Sequence, residues 1–436
     1  MTTLQIPPAV IGLQQVTDVA LRVNGRPVAV YGTPVARYAS FECDGAVEIT
    51  LEYATPIAGA VLIRPLSAAL AARISQNRVT FALAQPRYLR IEVAGHPGLY
   101  LFADSPPVAL PTEDAPGVRF FAPGQVHDAG MIELKSGDTL IIPAGAIVRG
   151  QIHAADAKDI RILGNGILMG RSERVPNLPL NGRSLLFERC SNLTIDGLCV
   201  IGTSSWTLQL THCEHVEIRR FKCIGWVVSS DGIDIVASRS VHISDCLLHD
   251  NDDCIAVKGL LREEKDGRKN AGDVSVRDIL VERCVMWNDQ AGNAMEIGFE
   301  TRDSEVDGVI FRDIDVIGAH GEGAVFSIHN GDHATVRNIL WERIRVEHFY
   351  DRFIDFRVLD SRWTATPGRG VIRNIVLRDI DVIEDLYNTP SIIGGWDAEH
   401  DVENVLFERV IMGGKHILNA DALQLFTRHA RSIVFK

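Results

Sequence analysis

From Asp159 to the C-terminus, apolar and polar residues alternate in short bursts, each opened by an amide or acid and closed by an apolar pair. The bursts include "DIRILGNGIL", "NLTIDGLCV", "HVEIRRFKC", "SVHISDCLL", "DILVERCVM", "GVIFRDIDV", "NILWERIRV", "NIVLRDIDV" and "NVLFERVIM". Aligned, they fix one register position at Ile162, Ile195, Ile218, Ile243, Val281, Phe311, Trp341, Leu377 and Phe407, at intervals of 33, 23, 25, 38, 30, 30, 36 and 30 residues. Strict alternation predicts β-strands, and recurrence at this period predicts a solenoid. Leucine-rich repeats would need their own leucine and asparagine spacing plus helical segments, and neither occurs. Propeller blades need four strands per unit, too many for the 23-residue interval. The pattern therefore predicts a right-handed parallel β-helix, whose coils cannot bury their apolar faces singly and so stack like residues into internal ladders. One ladder is predicted through Leu198, Phe221, Cys246, Cys284, Ile314, Ile344, Ile380 and Val410.

Residues 1–110 read differently. Short runs such as "AVEITLEYA", "GAVLIRPL", "RVTFALA" and "RYLRIEVAG", bounded by Gly and Pro, predict a small antiparallel β-sandwich. The proline-rich "SPPVALPTEDAPG", residues 105–117, marks the connection, with the linker placed at 111–120 and the helix at 121–436. The fold class is thus all-β. "LKSGDTLIIPAGAIVRGQI" opens the helix as its capping coil, and the mixed-charge insert "LREEKDGRKN", 261–270, interrupts the repeat as a solvated loop or a cleft wall.

Length and charge narrow the function. The chain has 436 residues and a formal charge of -12. That leaves no basic field for phosphate backbones, and no nucleic-acid motif is present, so no nucleic-acid partner is expected. No run approaches the ~18 to 20 apolar residues that span a bilayer, so no membrane partner is expected. "MTTLQIPPAV" lacks the features of a secretory signal, which leaves a cytoplasmic protein or a secreted one whose leader has been removed. Seven of the eight cysteines lie between Cys190 and Cys284 without a CxxC pair, and they read as reduced core thiols rather than as disulfides or metal ligands. No triad spacing, P-loop or dinucleotide fingerprint occurs, and no cofactor or metal is expected.

The stretch "SSDGIDIVASRSVHISDCLLHDNDDCIAVKG" carries Asp231 and, 21 residues on, the pair Asp252-Asp253. Coils of a β-helix lie about 4.8 Å apart, so the three carboxylates should meet on one face. Crowded carboxylates raise one another's pKa and can supply a protonated acid and an ionised base together, which is what glycosidic-bond cleavage needs. The plainer reading is turn chemistry, since Asp and Asn are common where side chains bond the local backbone. Geometry adds a constraint. Neighbours on a regular strand face opposite ways, so Asp252 and Asp253 can share a side only at a corner or bulge.

"CSNLTIDGLCVIGTSSWTLQLTHCEHVEI", followed by "SSDGIDI" and "NDDCIAVKG", resembles the polygalacturonase-like glycoside hydrolases. The likeness runs from about Gly117 to the C-terminus, and the preceding sandwich, joined through "FFAPGQVHDAG", resembles the dextranase and isopullulanase group. The resemblance implies an inverting, metal-free hydrolase of a poly- or oligosaccharide, with Asp252 as general acid and Asp231 and Asp253 activating water. Two departures bear on the substrate. Where that family carries Gly-His-Gly this chain has "GNAMEIG", so Asn293 replaces the histidine and Glu296 adds an acid; where it carries Arg-Ile-Lys this chain has Ser327 and His329. Those lost cations bind a uronate carboxylate in the family, so a neutral glycan is expected, met by a site without a fixed cation, with His329 gaining its proton near ~6.5.

Further candidates for substrate contact are Asp234, Lys258, Glu300 and Trp226, each with a structural alternative: a turn-stabilising role for Asp234, ordinary surface for Lys258. Trp206 of the WTL segment reads as packed core rather than a sugar platform. Two rivals remain, a lyase or epimerase on the same scaffold and a carbohydrate-binding protein without catalysis. The oligomeric state is not indicated.

Overall fold

The computed structural model describes residues 3–107, 110–171, 179–259, 275–302, 305–385 and 389–436. The insert at 261–270 lies outside them. Strands from Val118–Phe120 to Ala430–Phe435 wind into a right-handed parallel β-helix, with 30 strands among the described residues. Each coil runs over three faces, with a separate strand on each in the middle coils and one long strand, such as Thr335–Phe349, covering two faces in later ones. A representative coil runs Arg239–Ser244 on the first face, Leu247–Asp250 on the second and Ile255–Lys258 on the third.

The ladder read from the sequence is the observed one. Ile162 pairs with Ile195, which pairs with Ile218, Ile243, Val281, Phe311, Trp341, Leu377 and Phe407 in turn. All nine are buried, and the predicted second ladder from Leu198 to Val410 is buried beside them. Stacking replaces water by like side chains at every level, down to the face-parallel rings of Phe311, Trp341 and Phe356. The eight cysteines are buried free thiols. Among the described residues no helix is long and apolar enough to cross a membrane.

The N-terminal strands form a six-stranded and a five-stranded sheet packed face to face. Pairing is antiparallel except between Arg37–Cys43 and Leu99–Asp104, which run parallel, a departure from the purely antiparallel expectation. A second difference is at the junction. Val118–Phe120, placed in the linker by the sequence, already pairs in parallel with Thr139–Ile141 as the first helix strand.

The sandwich sits on the second face of the helix. Tyr31, Tyr38, Tyr88, Tyr100 and Phe102 pack on Ile147, Ile167, Cys199, Ile201, Ile224 and Leu247. Buried charge is paired across the junction, with Lys222 Nζ 2.6 Å from Asp104 Oδ1 and Arg64 bonded to Glu347. Breaking either pair would strand a buried charge, so the sandwich is fixed to the second face.

Candidate active site

The corner between the second and third faces carries the acids. Asp231 precedes Ile233–Val236, Asp252 and Asp253 precede Ile255–Lys258, and Asn293 precedes Met295–Phe299 in the next coil. The ladder continues through the corner, Gly232 N donating to Asp253 O at 2.8 Å and Cys254 N to Asn293 O at 3.0 Å. This answers the constraint on neighbouring residues, because Asp252 and Asp253 lie in a bend, before the strand begins. Two glycines make the bend possible. A Cβ on Gly232 would lie 2.4 Å from Cys254 O and 2.5 Å from Asp250 Oδ2, and one on Gly292, at φ +65°, would lie 2.4 Å from Asp252 Oδ1. The Asp231-Gly232 step therefore serves close backbone approach rather than an ordinary turn.

Oxygens of Asp231, Asp252 and Asp253 all lie within 4.8 Å of one another, close enough to share a proton, a water or a cation. Their surroundings differ. Asp252 is half-buried and accepts the N–H of Ser229 at 3.0 Å and of Asp253 at 3.1 Å. Asp253 is buried, and its Oδ1 accepts Asn293 N at 2.7 Å and Asn293 Nδ2 at 2.9 Å. Asp231 is buried, and its Oδ1 has no hydrogen-bond partner. Burial pushes the Asp231 and Asp253 carboxyls well above the usual carboxylate range, and neighbouring acids, including Asp252, push them further.

Asp234 lies on the outward side of the third-face strand, along which a substrate groove would run, its neighbours Ile233 and Ile235 pointing into the core. It is fully buried, neither oxygen has a hydrogen-bond partner, and burial drives its pKa up to about 8 against the opposing pull of Lys258. Lys258 is no surface residue, being 4% exposed. Its ammonium lies 3.9 Å from Asp234 Oδ1, 3.3 Å from Glu300 Oε2 and 3.1 Å from Gly298 O. Burial opposes its charge, but Glu300 and Asp234 outweigh that and raise its pKa.

Trp206 corrects the core assignment. Its ring is half-buried, with the Arg183 guanidinium 4.6 Å and Lys258 Nζ 5.0 Å from its centre. Trp226 packs on the cluster under the sandwich, its carbonyl accepting Asn251 Nδ2 at 3.0 Å. Asn293, expected to touch substrate, is engaged on both ends, its Oδ1 accepting Ala324 N at 2.8 Å while its amide holds Asp253.

Further along this face, Glu296 accepts Ser327 Oγ and faces His329 Nδ1 at 3.0 Å. His329 stacks on Phe299 at 4.2 Å, and its Nε2 faces Asp355 Oδ2 at 3.5 Å and Arg357 at 3.4 Å. Burial disfavours the imidazolium, but Glu296 and Asp355 prevail and hold its pKa at about 9. This overturns two expectations, since His329 is charged at neutral pH and the groove has fixed cations in Lys258, Arg183, His329 and Arg357. Arg183, Gln209, Asp355 and Arg357 were not singled out in the sequence. Arg183 bonds Gln209, and Gln209 pairs in register with Asp234. Asp355 and Arg357 pair with Ser327 and His329. Following each groove position from coil to coil would have found them.

The acids thus converge at one corner of a parallel β-helix. The chain belongs to glycosyl hydrolases family 28, whose family model matches residues 171–414. It is 30% identical over 195 residues to a probable endopolygalacturonase D of Neosartorya fischeri and 27% identical over 190 residues to a probable polygalacturonase of Arabidopsis thaliana. These matches cover 43% and 41% of the chain, and 36% and 37% of the relatives, so just over a third of their length is spanned. In architecture the chain is similar to Dex49A from Penicillium minioluteum, with TM-score 0.71 and 15% identity over 99% of this chain and 96% of that one.

Proposed function

We propose that the protein hydrolyses O-glycosyl bonds of a poly- or oligosaccharide with inversion, on a neutral glycan in preference to polygalacturonate. The observation that carries this is the convergence of Asp231, Asp252 and Asp253 within 4.8 Å. Burial and mutual repulsion raise Asp231, Asp234 and Asp253 against the pull of Lys258 and, at Asp234, of Arg183, so the cluster keeps a proton at neutral pH that belongs to the group as a whole. Access then distributes the roles. Asp252, the half-buried member, protonates the leaving oxygen. Asp253, oriented by two N–H donors from Asn293, activates water with Asp231. Spacing this tight is nearer the ~5 to 5.5 Å of retaining enzymes than the ~6.5 to 9.5 Å of inverting ones. That rule describes two carboxylates on opposite sides of the bond, whereas these three rise from one corner, and the family likeness supports inversion.

The substrate preference rests on the partners of the groove cations. Three of the four cations face carboxylates, Lys258 with Asp234 and Glu300, His329 with Glu296 and Asp355, and Arg357 with Asp355, while Arg183 bonds Gln209. A uronate would have to displace those carboxylates, while sugar hydroxyls can bond the pairs as they stand. The test is hydrolysis of dextran, other neutral polysaccharides and polygalacturonic acid, with proton NMR of the first product. The expected outcome is faster release from a neutral polymer and first appearance of the inverted anomer. Equal or faster release from polygalacturonate, or the retained anomer first, would refute the corresponding half of the proposal.

A further inference from the structure

Of the six tryptophans, Trp287 and Trp341 are buried and Trp206 and Trp226 are half-buried, whereas Trp363 and Trp396 are 44% and 46% exposed. Isolated exposed aromatics are common and need no explanation. These two share a setting. Each lies on the loop that leaves a groove strand, Trp363 after Arg352–Val358 and Trp396 after Ile392–Gly394, on the same side of the groove as Lys258 and Glu300. Those strands are three and four coils beyond the one that follows Asp252-Asp253, or ~14 and ~19 Å at the usual spacing.

Both loops are held in place. The first is tied to the buried Asp332, whose Oδ1 accepts Ala365 N at 2.9 Å and Thr366 N and Oγ1 at 2.8 Å. The second is closed by Trp396 N donating to His400 O at 2.9 Å, and by Asp397 accepting the N–H of Glu399 and His400. Arg369 joins them. It bonds Thr366 O at 3.0 Å and pairs with Asp360 at 3.1 Å in the first loop, while its guanidinium lies 4.9 Å from the ring centre of Trp396. Its side chain is 7% exposed, and its Nε has no hydrogen-bond partner. Arg362 lies 4.6 Å from the Trp363 ring centre. Indoles fixed in this way lose little entropy on meeting a ligand. Beside them a Cβ on Gly394 would make only an ordinary contact, with Arg357 Cγ at 3.8 Å.

We propose that Trp363 and Trp396, braced by Arg369, form a distal platform that binds the chain of a polysaccharide several sugars away from the bond being cleaved. The apolar C–H face of a pyranose stacks on an indole, and guanidinium edges donate to ring hydroxyls or carboxylates. Sugar rings and coils have similar repeats, so a chain leaving the acids along the groove reaches both rings. The inference rests on the glycan reading above and deepens it to long-chain substrates.

The test separates binding from turnover. Full-length Asp252→Asn protein is titrated by calorimetry with dextran, xylan and polygalacturonate, and with the trisaccharide of each. At least one polymer should bind about tenfold tighter per site than its trisaccharide, and adding Trp363→Ala with Trp396→Ala should erase that preference. Thermal melting checks the fold, and Trp363→Gln with Trp396→Gln replace an alanine pair that melts early. Absence of a length preference, its survival without the indoles, or failure of every polymer to bind overturns the platform. If the intact protein hydrolyses none of these glycans while the indole-dependent preference is present, the platform stands and the hydrolase reading falls.

Discussion

Two corners of the coil from Arg239 to Lys258 differ in electrostatic character. At the corner between the first and second faces, Asp245 is gripped by both ends of the Arg283 guanidinium at 2.9 Å. A few residues on, Asp252 and Asp253 meet the next corner, where no guanidinium among the described residues bonds Asp253. The first corner repeats along the helix as a checkerboard, with Arg220, Asp245, Arg283, Asp313, Arg343, Asp379 and Arg409 in successive coils, all left-handed with φ between 52° and 58°. The preceding position alternates in the opposite sense, with Glu282, Arg312, Glu342, Arg378 and Glu408. Bonds to Arg343 and Arg409 hold the Asp313 and Asp379 carboxyls below the ordinary range, whereas burial and crowding hold Asp231 and Asp253 above it. Acids on one scaffold thus divide by partners. Where each coil supplies a guanidinium to the last, carboxylates stabilise the stack; where several are buried together, they are poised for proton transfer.

The largest expected effect separates the two corners by activity. Asp252→Asn should lower hydrolysis of a natural glycan by ~10² to 10⁴, with more activity retained on substrates whose leaving groups need no proton. Asp313→Asn, in the checkerboard, should leave the rate unchanged. Steady-state kinetics on a polymer and on a p-nitrophenyl glycoside decide it, and a wild-type rate for Asp252→Asn on the polymer would remove the contrast.

How far the sequence reached follows the same division. The stacking register was legible because each coil repeats one inward residue, so aligning Ile162 through Phe407 aligned the strands themselves. The acids were legible because they are close in sequence, 21 residues apart, and stacking closes that gap. Arg183 and Trp206 were missed as parts of the site because they reach it from earlier coils, and local context gives no sign of it. The fate of Lys258 was open because alternation does not say whether an outward position is covered. The charge checkerboard stands in the sequence as "VERC", "FRDI", "WERI", "LRDI" and "FERV". Reading it requires knowing that the last charged letter of each occupies a corner.

A smaller effect tests whether the acid corner costs stability. In the unfolded chain Asp234 ionises near its ordinary value of 3.8, whereas in the folded protein it does so at about 8. Between those limits the folded state binds the extra proton, so its stability falls as pH rises from about 4 to about 8. Asp234→Asn, which cannot ionise, should stabilise the fold by ~2 kcal/mol at pH 7, after discounting for relaxation around a buried charge, and by little at pH 4. Urea unfolding at the two pH values measures this. Destabilisation at pH 7 would mean that the pairing with Lys258 outweighs the cost of burial.

His329 shifts stability with pH in the same direction as Asp234, but its removal should act in the opposite sense. Its folded pKa of about 9 lies above the ordinary 6.5, so the stability it contributes is complete below about 6.5 and disappears as pH rises through about 9. His329→Gln, which cannot carry the charge between Glu296 and Asp355, should destabilise by ~1 to 2 kcal/mol at pH 6 and by less at pH 10. An equal loss at both values would assign the residue a packing role against Phe299 alone.

The smallest effect belongs to the checkerboard. Arg343 reaches Asp313 through two bonds of 2.6 and 2.9 Å, but both side chains are partly exposed, at 45% and 35%. Solvent screening then limits the coupling to roughly 0.5 kcal/mol despite bidentate geometry. A double-mutant cycle of Arg343→Ala and Asp313→Asn, read by urea unfolding, should give that value at low salt and nearly nothing at 1 M, where the Debye length is about 3 Å. Coupling that persists in high salt would indicate that the pair is locked by the left-handed corner rather than by charge, because Asp313 and Arg343 both hold φ near 54°, at 55° and 53°. Replacing each in turn by Gly, which adopts that conformation freely, distinguishes the two. If the corner is what matters, Asp313→Gly should lose less stability than Asp313→Asn loses at low salt, and the checkerboard would be a consequence of backbone shape on which charge was later arranged.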